Sequence, residues 1–486
     1  MRWEQLLPEA VCEGAGWRPV EAVAADSRTV RPGTLFFALR GTAADGHDYI
    51  GEAIAAGAMG VVAERAVDLP PETPLAVHPE ARRLLGEAAA RLASHPSREL
   101  PVVGVTGTNG KTTLAWLLAA LFDDGAVVGT LGWGRPTGLH PSGETTPDAV
   151  TLQARLSRLR AEGVTGVAME ASSHALDQER LAGTALVGAV WTNLTPEHLD
   201  YHGDLATYGA AKRRLLERPE LDFAVINAED PAAADFAGGV APGVHLWRYG
   251  LEAGDVRMEQ AECGPDGIRL RAATPRGEVA VRSALVGRVN RANLLAAVAA
   301  GLALGLEPAE VGRRLSAVPP VPGRMENLGT TPRGARVWVD YAHTADALER
   351  TLEGARELTQ GALWCVFGCG GERDTEKRPA MGAVAARLCD SVVLTSDNPR
   401  GEDPEGILAA IRAGMKDIEP VVVPDRGAAI EHALGAAGPE DAVVIAGKGH
   451  EREQVLADRC VPFSDREAVR RWLAGSREVA SHDDPG

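Results

Sequence analysis

The feature that most narrows the fold of this chain is the stretch Val102-Val103-Gly104-Val105-Thr106-Gly107-Thr108-Asn109-Gly110-Lys111-Thr112-Thr113, an apolar run that breaks into a glycine-rich turn and continues into the amphipathic segment 114–122. A strand that feeds a helix through such a turn can surround a polyphosphate with backbone N–H groups. Lys111 would reach the terminal phosphates and Thr112 would offer its hydroxyl to Mg²⁺. The strict phosphate-loop spacing is missed. Thr106 or Val105 stands where a glycine is usual, with Gly104 and Gly107 on either side. Gly-Lys-Thr between an apolar strand and a helix still predicts a nucleoside triphosphate site.

The 486 residues exceed one ordinary core, and at about 100–200 residues per domain they predict three domains. The expected boundaries are 1–98, 99–320 and 321–486. The first domain reads as a small α/β unit, with short apolar runs at 34–39 and 60–63 and a helical pattern over 79–94. The polar, proline-broken segment Ser94-His95-Pro96-Ser97-Arg98-Glu99 reads as the linker to the second domain. There strands alternate with helical patterns, which predicts a largely parallel sheet, and 256–281 reads as a strand meander. Pro319-Pro320-Val321-Pro322-Gly323 punctuates the chain before a third, doubly wound domain of Rossmann-like type.

A net charge of −17 and a pI near 5.3 argue against nucleic acid or an anionic membrane as partner. Cys12, Cys263, Cys365, Cys369, Cys389 and Cys460 lack metal-ligand spacing, and no signal peptide or long apolar span is visible. These features predict a cytoplasmic protein. Lysine usage carries more information: only Lys111, Lys212, Lys377, Lys416 and Lys448 stand among 50 basic residues. A lysine kept in such a composition is expected where a compact, titratable ammonium is required, which marks Lys111 and Lys212.

Polar clusters follow the apolar runs. Glu170 closes one strand, where a carboxylate can hold Mg²⁺ beside a triphosphate. The segment 192–203 packs His198, His202 and two acids after another strand, and Lys212 follows on a helix among small residues. In the third domain Asp340-Tyr341-Ala342-His343, Gly370-Gly371-Glu372-Arg373, Asp397-Asn398-Pro399-Arg400 and Gly447-Lys448-Gly449-His450-Glu451 each end an apolar run. Both charge signs on one sheet edge suit a zwitterionic ligand such as an amino acid.

In order along the chain, these clusters resemble the Mur ligase family, most closely its branch that adds a diamino acid as the third residue of the peptidoglycan stem peptide. The resemblance also takes in Asp26-Ser27-Arg28, Asp45-Gly46-His47, Thr145-Thr146-Pro147, Asn290 with Asn293, and Gly323-Arg324-Met325-Glu326. It implies an ATP-dependent, ADP-forming amide ligase that joins meso-2,6-diaminopimelate to the D-Glu γ-carboxylate of UDP-MurNAc-L-Ala-D-Glu through an acyl phosphate. Gly107, Thr108, Asn109, Gly110, Lys111, Thr112 and Thr113 would cradle ATP, joined by Asn293 at adenine, Arg324 at phosphate and Asp340 at ribose. Thr112, Glu170, His198 and Lys212 would surround Mg²⁺, with Lys212 carbamylated, and Lys111, Glu170, His198 and Lys212 would form the catalytic set. Ser27, Arg28 and His47 would hold the UDP sugar, and Thr145, Thr146, Ser172, Gln178 and Arg180 the muramoyl peptide. Arg373, Asp397, Asn398, Arg400, Gly447 and Glu451 would form the amino-acid pocket, Arg400 pairing with the distal carboxylate of diaminopimelate. Glu372, where the family often has aspartate, departs from the pattern. The same resemblance implies a monomer in cytoplasmic cell-wall synthesis. Alternative readings are ligation of L-lysine or L-ornithine, against which Arg400 argues, and a non-catalytic ATP-binding scaffold.

Overall fold

A computed structural model describes residues 1–10, 12, 19–42, 44–372, 374–416 and 418–482, and the chain divides into two compact units, Met1–Val256 with Ala296–Leu306 and Arg257–Leu295 with Glu307–Gly486. The first unit opens with a four-stranded parallel sheet, β1 (Ala22–Ala24), β2 (Thr34–Ala38), β3 (Gly60–Ala63) and β4 (Leu75–Val77), in sequential order. Alternate residues of β2 serve opposite faces, as the period of a strand dictates. Leu35 and Phe37 join Trp3, Leu84 and Ala88 in one core, whereas Phe36 and Ala38 join Ile50 and Ala53 in another.

The central sheet of this unit contains β5 (Val102–Thr106), β6 (Gly125–Gly129), β7 (Gly132–Gly134), β8 (Gly166–Glu170), β9 (Gly188–Trp191), β10 (Phe223–Asn227) and β11 (His245–Gly250), in the order β11-β10-β9-β5-β8-β6-β7. Every pairing is parallel except the β6–β7 hairpin. β5 lies between β8 and β9 with all its residues buried, which is why Val102–Thr106 reads as a continuous apolar run. The loops after β5, β6, β8, β9 and β10 consequently emerge at one edge. The expected linker at Ser94–Glu99 is a packed corner. Ser94 and His95 have positive φ, Pro96–Arg98 form a 3₁₀ turn, and buried Ser97 accepts a hydrogen bond from the Ala185 N–H at 2.8 Å. Tertiary burial overrides its polar composition.

The second unit contains the expected antiparallel meander, β12 (Val256–Gly264), β13 (Gly267–Ala273) and β14 (Val279–Ser283). A six-stranded sheet follows, made of β15 (Glu326–Thr330), β16 (Arg336–Val339), β17 (Leu363–Phe367), β18 (Ser391–Leu394), β19 (Val421–Val422) and β20 (Ala442–Ile445), ordered β15-β16-β20-β17-β18-β19. Only β15 runs antiparallel to its neighbour. Trp338, Cys365, Phe367, Leu394 and Val444 pack with Leu348, Leu352, Met381 and Ile411 on one face. Val337, Val339, Val366, Val393, Val443 and Ile445 pack with Ile430, Leu434, Val469 and Leu473 on the other. This is the doubly wound arrangement expected from sequence.

Arg426, at the start of helix Arg426–Ala436, is fully buried and pairs through both arms with Asp465, at 2.7 Å each. It also donates to the carbonyls of Ala446 and Ser396, at 2.8 and 3.4 Å, and so binds the segments leaving β20 and β18 to two helices. Removing one member strands a buried charge, whereas removing both does not. Arg426→Leu is therefore expected to lower the unfolding free energy by about 3–5 kcal/mol in urea denaturation, with the Arg426→Leu, Asp465→Leu pair losing clearly less.

Candidate functional site

The phosphate loop leaves β5 through Gly107, which has φ of +141° and at which a Cβ would fall 1.9 Å from Thr192 Oγ1, so that the position admits only glycine. The loop is braced by the segment after β9. Asn109 N–H donates to Asn193 Oδ1 at 3.0 Å, Asn193 Nδ2 and Thr192 Oγ1 donate to the Asn109 carbonyl at 3.1 and 2.6 Å, and the Thr195 N–H donates to Thr108 Oγ1 at 3.0 Å. Gly110, with φ of +87°, opens helix Lys111–Ala119, in which Thr112 and Thr113 occupy the first turn. Such a helix start directs N–H groups and a positive dipole end toward an anion.

Two ammonium groups share one carbonyl here. Lys111 Nζ donates to the carbonyls of Gly107 and Thr108, both at 2.8 Å, and Lys212 Nζ donates to the Gly107 carbonyl at 2.7 Å. Lys212 is buried and lies 4.4 Å from the centre of the Tyr208 ring. It is not a surface lysine paired with Glu217 or Asp204, the role its sequence neighbours would also allow. Burial first, and then the Lys111 charge, hold its pKa well below the ordinary lysine value, with Glu197 opposing.

Glu170, at the end of β8, is buried and accepts from Thr112 Oγ1 at 3.0 Å and from the Thr130 N–H and hydroxyl at 2.8 and 3.1 Å. His198 has φ of +56° and its Nε2 lies 3.8 Å from Glu197 Oε2. It belongs to an aromatic group: the His174 ring is 4.8 Å from that of His198, 4.3 Å from Tyr201 and 5.5 Å from His202. Burial pushes His198 and His202 below the usual histidine value and takes His174 to about 4, with the His198 and His202 imidazoles adding to the His174 shift. Sequence reasoning gave no role to His174, Tyr201, Tyr208 or Thr130. His174 stands in the same short segment as Glu170, and Thr130 directly follows β6, a strand-end position that could have found it.

The residues expected at a muramoyl peptide lie near this edge. Thr146 Oγ1 donates to the Glu170 carbonyl at 2.8 Å and accepts from the Ser172 N–H at 3.1 Å, while Thr145 Oγ1 is 3.1 Å from Thr130 Oγ1. Arg180 donates to Gln178 Oε1, Glu144 and the Thr146 carbonyl, at 3.0, 2.5 and 2.8 Å. Gln178 in turn donates to Tyr201 Oη at 3.2 Å. The sugar candidates sit in 3₁₀ turns beside the N-terminal sheet, at Ser27–Thr29 and Gly46–Tyr49. Ser27 donates to Glu52 at 3.2 Å, exposed Arg28 pairs with Asp26 at 2.7 Å, and His47 Nδ1 meets Asp45 Oδ1 at 2.6 Å.

In the second unit Asn293 donates to Asn290 Oδ1 at 2.9 Å, and Arg324 stacks 4.5 Å from the Tyr341 ring. Asp340 is 8% exposed and accepts from the Met325 and Ala342 N–H groups and the Thr351 hydroxyl, at 2.7, 2.8 and 3.0 Å. This carboxylate therefore holds the turn that carries Arg324. Gly323 and Gly449, both at positive φ, abut without side chains between them; a Cβ on Gly323 would fall 2.3 Å from the His450 nitrogen.

The amino-acid candidates form a connected set, apart from Arg373, which lies outside the described residues. Asn398 Nδ2 donates to Glu451 at 3.0 Å, Lys448 Nζ donates to Asn398 Oδ1 and Glu451 at 2.9 and 2.8 Å, and Asp397 Oδ1 is 3.7 Å from Lys448. Arg400, with φ of +52°, donates to the Gly371 carbonyl at 2.8 Å. Gly447 sits against Asp397, where a Cβ would be 2.7 Å from its Oδ2. Lys448 was not assigned to this pocket from sequence, although the scarcity of lysine points to it.

Among the described residues no group of three or more His, Cys, Asp or Glu side chains is arranged to hold a metal, and no helix is long and apolar enough to cross a membrane. The hard oxygens of Thr112 and Glu170, 3.0 Å apart, nevertheless have the chemistry that Mg²⁺ takes beside phosphate oxygens.

The sequence matches three family descriptions in succession: "Mur ligase family, catalytic domain" over residues 19–101, "Mur ligase middle domain" over 105–301, and "Mur ligase, glutamate ligase domain" over 323–449. A protein named UDP-N-acetylmuramoyl-L-alanyl-D-glutamate--2,6-diaminopimelate ligase from Alkalilimnicola ehrlichii is 49% identical, covering 99% of this chain and 100% of its own. Its namesake from Chromobacterium violaceum is 44% identical over 93% of this chain and 95% of its own. A solved structure described by the same name superposes with a TM-score of 0.73 at 33% identity, covering 98% of this chain and 99% of its own.

The histidine group carries a pH signature. With His174 near 4 in the folded chain and near 6.5 when unfolded, the unfolded state binds more protons between these values. Stability from this residue is complete above pH 6.5 and declines as pH falls toward 4. In chelator-treated protein without nucleotide, His174→Gln should flatten the fall of unfolding free energy between pH 7 and 4; an unchanged slope would refute the assignment.

Proposed function

The chain belongs to the Mur ligase family, with its three-domain α/β architecture, and on that footing we propose that it joins meso-2,6-diaminopimelate to the D-Glu γ-carboxylate of UDP-MurNAc-L-Ala-D-Glu with conversion of ATP to ADP and phosphate. The observation that carries the reading is the edge at which Lys111, Thr112, Glu170 and Lys212 meet around the phosphate loop. In this reading residues 1–98 hold the UDP sugar through Ser27, Arg28 and His47, residues 99–320 hold ATP, and residues 321–486 hold the amine. The enzyme acts as a cytoplasmic monomer. The names of the relatives over nearly the full chain support the choice of substrates.

A carboxylate is a poor electrophile at neutral pH, so the reaction proceeds by transfer of the γ-phosphoryl group to the D-Glu carboxylate oxygen. The amine then attacks the acyl carbon, the C–N bond forms, and phosphate leaves with the C–O bond pair. The protein contributes position and charge neutralisation. Loop N–H groups and Lys111 orient the β and γ phosphates, for which Lys111 leaves the carbonyls of Gly107 and Thr108. Asn293, Arg324 and Asp340 are assigned to adenine, phosphate and ribose, the last through the turn it fixes. Thr145, Thr146, Ser172, Gln178 and Arg180 orient the acceptor peptide.

Thr112 and Glu170 would hold one Mg²⁺, and His198 with Lys212 a second. When bound, the ions neutralise charge on the transferring phosphoryl group. An ammonium cannot ligate a cation, but the depressed pKa of Lys212 favours its neutral amine, whose lone pair can add CO₂ to give a carbamate and release a proton. Asp397, Asn398, Gly447 and Glu451 would receive the ammonium side of the amine, and Arg373 and Arg400 its carboxylates.

The test is ADP release with UDP-MurNAc-L-Ala-D-Glu, ATP and Mg²⁺, offering diaminopimelate, L-lysine and L-ornithine separately with products identified by mass. Diaminopimelate should be strongly preferred, and silence with all three amines would overturn the ligase reading. Lys111→Ala should abolish ADP formation. Arg400→Ala should raise the KM for diaminopimelate by about 10–100-fold, the worth of one charged hydrogen-bonded contact, and leave the KM for ATP near its starting value. Equal effects on both would make Arg400 structural.

A further inference from the structure

We propose that Lys448 sets the net charge of the amine pocket and through it the choice between a zwitterionic diamino acid and a more cationic one; this rests on the assignment of that pocket above. The Lys448 side chain is fully buried, and its ammonium lies 2.8 Å from Glu451 Oε2, 2.9 Å from Asn398 Oδ1 and 3.7 Å from Asp397 Oδ1. Two further buried cations among the described residues nearby have their own partners: Arg426 is matched by both oxygens of Asp465 and by backbone carbonyls, and Arg378 by Glu402. Around the Lys448 ammonium, the two carboxylates of Asp397 and Glu451 thus face one cation, apart from Arg400 on the side assigned to the distal carboxylate. At this end of the pocket one negative charge is left for an incoming ammonium.

At neutral pH diaminopimelate carries two ammoniums and two carboxylates, whereas lysine carries two ammoniums and one carboxylate. A pocket with one uncompensated negative charge tolerates the second carboxylate, which Arg400 can meet. A pocket with two repels it and gains from the additional positive charge of lysine, because like charges brought close in a partly buried site repel one another. Lys448 thus acts on the amine through Asp397, Asn398 and Glu451. It is a positioning and specificity residue rather than a catalytic one. An arginine would not serve: the ammonium occupies a fully buried point between three side chains, with Gly447 and Gly449 on either side at φ of +109° and +53°.

Two variants make the same charge change. Lys448→Met removes the ammonium and keeps the length of the side chain. Lys448→Gln also removes the ammonium but keeps an amide N–H donor for the acceptors Asn398 and Glu451. The quantity to measure is kcat/KM for lysine divided by kcat/KM for diaminopimelate, with the KM for ATP alongside. Both variants should raise that ratio by about tenfold or more and leave the KM for ATP within about twofold. If Lys448→Met does not fold, Lys448→Gln decides alone. An unchanged ratio, or equal loss with both amines, in a wild-type-like folded variant would overturn the role of Lys448 and leave the ligase reading standing. A wild-type protein silent with every amine would overturn both.

Discussion

The absence of a side chain at Gly107 is the constraint on which the phosphate site depends. Because nothing separates the loop from Thr192, the segments after β5 and β9 interlock through Thr108, Asn109, Thr192, Asn193 and Thr195. The Gly107 carbonyl is then turned to receive Lys111 and Lys212 together. Two cations held that close destabilise one another, and the buried one yields its proton more readily. Loop geometry, the proximity of the lysines and the chemical character of Lys212 are thus consequences of one backbone position.

The second unit solves a different electrostatic problem by placing single cations where several acceptors converge. Arg426 is a planar fork matched to the Asp465 carboxylate, with its remaining reach spent on carbonyls at the ends of β18 and β20. Lys448 is a point charge among Asp397, Asn398 and Glu451. Neither cation could replace the other, since one site is planar and bidentate and the other compact. At these two buried sites each type of cation stands where its shape is required.

Much of this was legible in the sequence because parallel strands buried on both faces appear as apolar runs, and each run gives way to an exposed loop at the ligand edge. That logic located the phosphate loop, Glu170, Asp340, Asp397 and Gly447 at strand ends from the order of residues alone. Lysine scarcity likewise pointed to Lys212, and it held an unused indication of Lys448. The grouping of His174 with His198, Tyr201 and His202 was hidden, because it depends on how the short helix Leu199–His202 lies against helix Ser173–Asp177. The packed corner at Ser94–Glu99 was hidden for the same reason: proline and polar residues announce a break in regular structure but not whether the break is buried. Nor could sequence show that Asp340 already accepts from two backbone N–H groups and a threonine hydroxyl.

The direct backbone contact between Gly323 and Gly449 has a mechanical consequence. Side chains accommodate small displacements by changing rotamer, but two abutting peptide segments have no such slack. The turn bearing Arg324 and the loop bearing Lys448 and Glu451 are therefore geared together, so that a shift of either by a fraction of an ångström is passed to the other.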